Sequence, residues 1–232
     1  MITIPEIKKI YSSLQKQLFY LIPEKWDKIF LYASIIDQMN NMQTGEMFFY
    51  YYPKGIIKRK PINVYEIPSK FSIEEDTYLK LVDELYKEIK LLRKMQIKLG
   101  EKAWSNVTIS IEHFKFGVEF DYDNLMDSKY TSYQRHLIWR YEYLRLPFNS
   151  YNKEERKILT DYLNEKDYTP KDNETYYESI YQKPVRNIIE YEKEDMIEVQ
   201  DIKNKTKIKA PEEIEEITEE QNTNQILRFK DM

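Results

Sequence analysis

A chain of 232 residues with 41% hydrophobic and 33% charged side chains is long enough for one substantial domain, or for a domain with an extension. Residues 1–150 hold 22 Lys and Arg against 19 Asp and Glu, and residues 151–232 hold 14 against 21, so a nearly neutral part precedes an acidic tail and neither is the strongly basic surface of a nucleic-acid binder. The absence of cysteine excludes disulfides, thiolate metal sites and cysteine nucleophiles.

From Ile4 to Leu21, Ile7, Ile10, Leu14, Leu18 and Leu21 recur at three- and four-residue steps and predict an amphipathic helix, which Pro23 ends. Lys8, Lys9 and Lys16 interrupt this stretch, so it lacks a signal-peptide core. No segment reaches the roughly 20 apolar residues of a membrane span. The expectation is a cytoplasmic protein without a membrane partner.

Three strands are predicted next, at Trp26 to Ile36, Glu46 to Tyr52 and Pro61 to Ile67, joined by turn formers too short for parallel crossovers. Within the second, alternation sends Phe49 and Tyr51 one way and Phe48, Tyr50 and Tyr52 the other. One of these aromatic faces calls for helices and the other for a second cover, such as a partner.

Ser72 with Glu75 reads as a capping box opening a long helix, with Leu81, Leu85, Ile89, Leu92, Met95 and Leu99 as its stripe and Gly100 as its stop. Strands follow at Asn106 to His113 and Phe116 to Tyr122, the second setting Glu119, Asp121 and Asp123 opposite its aromatic residues. Thr131 to Leu146 predicts another helix, carrying Tyr133, Leu137, Trp139, Tyr141 and Leu144. The order predicts an α+β, two-layer domain over residues 1–150, with an antiparallel sheet of about five strands and helices on one face.

Beyond residue 150, an acidic, loosely structured C-terminal extension is expected over 151–232. Asn152 and Glu155 repeat the cap pattern at the start of a helix near 152–166. The stretches RNIIEYEKEDMIEV and NQILRFKDM are open between short strands and segments that order only on a partner, and EEIEEITEE is a charge run.

Chemistry finds little purchase. There are two histidines, His113 and His136, and no HxxxH, HExxH or HxE spacing. No GxSxG, phosphate loop or GxGxxG occurs, and four glycines leave little room for one. Glu119, Asp121, Asp123 and Asp127 are the best carboxylate cluster, and a solvated face running into a turn accounts for them more simply than a metal site. No catalytic residue, metal or cofactor is therefore assigned. Tyrosine is different: the chain has 21, with clusters in FFYYYP, YDNL and WRYEYL, the kind of amphipathic surface that proteins present to one another.

The succession Ile22-Pro23-Glu24, Trp26, Leu31-Tyr32-Ala33, Phe49-Tyr50-Tyr51, Trp104-Ser105-Asn106-Val107-Thr108, Phe120-Asp121-Tyr122-Asp123-Asn124-Leu125, Tyr133-Gln134-Arg135 and Ile138-Trp139-Arg140-Tyr141-Glu142-Tyr143-Leu144 resembles the YezG family over about residues 4–148. The family's usual YDDL reads Tyr122-Asp123-Asn124-Leu125 here, and residues 151–232 have no counterpart in its typical short member. The resemblance implies an immunity protein, or antitoxin, that neutralises a toxin of type VII secretion by stoichiometric binding without catalysis, the toxin most often being a nuclease domain.

On that implication, the partner-binding residues expected are the carboxylates Glu119, Asp121, Asp123 and Asp127 and the aromatic anchors Tyr50, Tyr52, Tyr122 and Tyr141. Two alternatives belong to other classes: a small metal-dependent hydrolase using Asp121, Asp123 and His136, and a scaffolding protein acting through the tail.

Overall fold

The computed structural model describes residues 4–38, 43–55, 60–112, 115–165, 188–189 and 225–228. The chain divides into two compact units, one of Met1–Asp123 with Asn187–Asp231 and one of Asn124–Arg186. His113 and the EEIEEITEE run lie outside the described residues.

The first unit begins with α1 (Ile4–Leu21), whose Ile10, Leu14, Leu18 and Leu21 are buried as the periodicity demands. β1 (Trp26–Ser34) is followed after Ile35 by the two residues of β2 (Ile36–Asp37), and β3 (Gln43–Pro53) returns antiparallel to both. Both flanks of β3 exceed the predicted strand. β4 (Ile62–Asn63) pairs antiparallel with Tyr50 and Tyr51 of β3.

The expected strand from Pro61 to Ile67 stops at Asn63. The Asn63 carboxamide accepts the Tyr65 N–H at 3.2 Å, which turns Val64–Glu66 into a 3-10 helix leading directly into α2 (Ile67–Phe71). Ser72 consequently ends α2 in a left-handed conformation, φ 52°, and does not cap the long helix. That role falls to Glu74, whose carboxylate accepts the N–H groups of Asp76 and Thr77 at the start of α3 (Glu75–Lys98). Gly100, at φ 90°, supplies the stop, since the left-handed backbone there favours a residue without Cβ.

β5 (Asn106–Glu112) joins the free side of β1, and β6 (Lys115–Asp121) joins β5, both antiparallel. β1 therefore lies in the middle of the sheet, between β3 and β5 with β6 beyond, and β2 continues β1 along the same edge of β3. Two short strands from beyond the expected domain complete it: β7 (Ile188–Ile189) pairs antiparallel with β6, and β8 (Gln225–Arg228) pairs parallel with Thr44–Met47 of β3. Each falls within one of the two stretches left open by the sequence.

The core lies between one sheet face and α1 with α3. Ile29, Leu31 and Ala33, Met47, Phe49 and Tyr51, Val107, Ile109 and Ile111, and Phe116 and Val118 meet Leu14 and Leu18 of α1 and Val82, Leu85, Ile89 and Leu92 of α3. Each such aliphatic side chain contributes on the order of 1.5–3 kcal/mol by leaving water. Gly45 lets the Tyr86 side chain of α3 reach across β3: a Cβ there would lie 1.9 Å from the Tyr86 hydroxyl and 2.1 Å from the Ser34 carbonyl, to which that hydroxyl donates at 2.8 Å.

The second unit holds α4 (Ser132–Leu144) and α5 (Lys153–Glu165). Thr131 and Gln134 form a reciprocal capping box on α4, and Asn152 and Glu155 exchange the same pair of bonds on α5 at 2.8 and 2.9 Å. Leu137, Ile138 and Tyr141 pack with Tyr151, Leu159, Tyr162 and Leu163 between them. No described helix is long and apolar enough to cross a membrane.

Candidate protein-binding site

The acidic end of β6 is positioned from beneath by a buried anchor. Trp104, 1% exposed, stacks on Phe120 with ring centroids 5.3 Å apart and donates its indole N–H to Gln96 of α3 at 2.9 Å. Arg93, also on α3, donates Nε–H to the Trp104 carbonyl at 2.7 Å and reaches Asp37 through both terminal nitrogens at 3.2 and 2.6 Å. Burial works against ionising Asp37, yet the bidentate Arg93 contact wins and holds its carboxyl below the usual range. The sequence reading missed Arg93. Its signal was there: it continues the Val82, Tyr86, Ile89 stripe, where a cation requires a partner.

On this base the Ser105 N–H donates to the Asp121 carbonyl at 2.8 Å and closes the strand pair. The Asp121 carboxylate then accepts the N–H groups of Tyr122 and Asp123, at 2.5 and 3.1 Å, and turns the chain out of the sheet. β6 consequently ends at Asp121, so Tyr122 and Asp123 occupy the turn and do not extend the strand face as expected. Glu119 and Asp121 do lie opposite Phe116 and Val118, whose side chains enter the core.

Asp121, Tyr122 and Asp123 are exposed and Glu119 is half-buried. Tyr122 remains 44% exposed, with the Lys102 ammonium 4.9 Å from its ring centroid. In the second unit, Asn124 accepts the Met126 N–H and donates to Asp127 at 2.5 Å, which fixes the exposed Asp127 carboxylate. Met126, 63% exposed, lies on this same turn and was not foreseen.

The aromatic candidates separate by burial. The expected alternation holds, with Phe49 and Tyr51 in the helix-facing core and Phe30, Tyr32, Phe48 and Tyr50 outside that cluster. The second face is nevertheless buried within the chain, Tyr32 stacking on Phe48 at 4.6 Å and Tyr50 only 8% exposed. Tyr52 is half-buried, edge-on to Phe30. Tyr141 is buried in the second unit, 6.2 Å from Phe148 and 6.1 Å from Tyr151. Tyr50 and Tyr141 are thus buried, while Tyr122 and part of Tyr52 remain accessible.

Tyr51 lies in the core with its hydroxyl donating to Glu24 at 2.6 Å, beside Lys70. Burial and the Glu24 carboxylate push its ionisation far above the ordinary phenol range, so it is a structural donor.

His136 of α4 is buried, and burial together with the Arg140 charge pushes its pKa down to about 3. The imidazole is accordingly neutral near pH 7. Asp121 and Asp123 belong to the first unit and His136 to the second. Among the described residues, no group of three or more His, Cys, Asp or Glu side chains is arranged to hold a metal ion.

Known proteins give this geometry a context. The family profile of YezG-like immunity proteins matches residues 7–158. The chain is 29% identical over 160 residues to an immunity protein YezG of Bacillus spizizenii, covering 68% of this chain and 94% of that protein. It is 27% identical to the immunity protein YezG of Bacillus subtilis, covering 68% and 99%. It is 24% identical to the type VII secretion system protein EsaG of Staphylococcus aureus, covering 69% and 95%.

Proposed function

Because this chain belongs to the YezG-like immunity protein family, we propose that it neutralises a cognate toxin exported by type VII secretion, through stoichiometric binding and without catalysis, and that the toxin domain is a nuclease. The observation that carries the reading is the family match across residues 7–158, which spans nearly all the length the curated relatives possess. The exposed turn of Asp121, Tyr122 and Asp123 supports it chemically. A nuclease site is basic and often holds a metal, so carboxylates on a rigid turn complement it. Tyr122 gives that turn a large amphipathic anchor. Glu119 and Tyr52 extend the accessible set within the first unit, Asp127 is exposed in the second, and Tyr50 and Tyr141 are buried.

Two experiments separate the parts of this reading. Co-expression with a toxin encoded beside the gene should yield an equimolar complex and restore growth; a chain that neither binds nor protects against it overturns the antitoxin role. Asp121→Asn with Asp123→Asn should slow association several-fold and flatten its salt dependence, with dissociation less affected. Unchanged association kinetics would remove the acidic turn from the interface and leave neutralisation itself standing.

A further inference from the structure

β3 is the strand in this sheet with the greatest capacity to pair with a stranger. Its run Met47–Tyr52 is six consecutive apolar or aromatic residues without charge, proline or glycine, the composition of segments that self-associate through their backbones. Its inner edge is taken by β1 and β2. Its outer edge is taken twice, because Met47 pairs with both Ala33 and Arg228, and Tyr50 with both Phe30 and Asn63. β8 covers Thr44–Met47 and β4 covers Tyr50 and Tyr51, so the two short strands leave only Phe48 and Phe49 between them. Without β8, the ladder from Thr44 to Phe49 is open.

The two guards have different origins. β4 lies within the family match, whereas β8 lies beyond residue 158, where that match ends. β8 is also the sole parallel partner among the described strands; every other pairing is antiparallel. A parallel partner brought from such a sequence distance is entropically costly to recruit, and closing an open strand edge that runs into the apolar Met47–Phe49 segment is a gain that offsets it.

We propose that Gln225–Arg228 is an edge guard, which keeps the outer edge of β3 from pairing with β3 of a second copy of this chain. The second copy is the competitor because it brings the same Met47–Phe49 segment, the part of the uncharged run ahead of the residues that β4 covers. A two-fold axis also pairs β3 with itself antiparallel, the geometry β3 already uses with β1 and β4.

The test uses the full chain. In the unaltered protein, the amides of Thr44–Met47 should exchange slowly and light scattering should report a monomer. Ile226→Pro with Leu227→Pro removes two strand N–H groups, and should accelerate exchange at Thr44–Met47 about tenfold or more while a dimer grows with concentration. Protection across Val107–Ile111 of β5 serves as the control for an intact sheet. Adding Thr44→Lys should restore the monomer with exchange still fast, because like charges on the edge repel. Unchanged exchange, a variant that stays monomeric after its edge opens, or an unaltered chain already dimeric would each overturn the proposal.

Discussion

Gly45 shows how one missing side chain can hold two elements in register. Tyr86 crosses β3 at this position to donate its hydroxyl to the Ser34 carbonyl, and a methyl group would sit within 2.1 Å of both atoms. Rigid backbone on one side and a buried phenol on the other leave no room to yield. Gly45→Ala should therefore destabilise the chain by about 1–3 kcal/mol, as overpacking does elsewhere, measurable as a lowered urea midpoint. Replacing Tyr86 by Phe in the same background should recover part of the loss by removing the colliding oxygen. A glycine of this kind is invisible in sequence, since nothing around residue 45 announces a helix passing overhead. The acidic turn divides in the same manner. Its residue types were legible as a cluster, but the capture of two backbone N–H groups by Asp121, which decides where β6 stops, depends on geometry that alternation alone does not contain.

Among the elements, helices were read more faithfully than strands. α1 follows its apolar period closely, and the Asn152 and Glu155 pair on α5 forms as the spacing implied. The same spacing at Ser72 and Glu75 misled, because Asn63 bends the chain early and α2 consumes the residues expected to lead in; Glu74 then makes the cap. Cap patterns state what a helix end accepts, not whether the chain arrives there. On α4 the cap is complete, and Thr131→Ala should cost about 1 kcal/mol of stability, with far-UV circular dichroism during thermal unfolding as the measurement. Strand neighbours were harder: the β1–β3 hairpin was local and legible, whereas β5 docking on the far side of β1 and the parallel arrival of β8 are long-range choices. Aromatic density was also ambiguous, since Tyr50 and Tyr141 carry the composition of an interface and are buried.

For the molecule as a whole, stability should respond to pH through His136. Its imidazole is neutral in the folded chain, where its pKa is about 3, and takes up a proton on unfolding, where the ordinary value near 6.5 applies. Protons thus favour the unfolded state over that interval. Stability from this group is complete above about pH 6.5 and is lost as the pH falls toward 3, by up to about 3 kcal/mol between pH 7 and 4. His136→Leu should flatten the pH dependence of the urea midpoint by a comparable amount relative to the unaltered chain. Equal slopes in the two proteins would show that the carboxylates alone set acid sensitivity.

The pairing of β3 with β8 also sets a clock. β1, β3 and β4 leave the ribosome early and close together, whereas the strand that covers Thr44–Met47 follows about 180 residues later. At roughly 5–20 residues per second, that interval is on the order of ten to forty seconds. For that time every nascent chain carries β3 with its outer edge uncovered from Thr44 to Phe49, and neighbouring chains on one message carry the same strand within reach. Synthesis speed and message occupancy, and not only the finished fold, would then decide how much of this protein arrives as monomer.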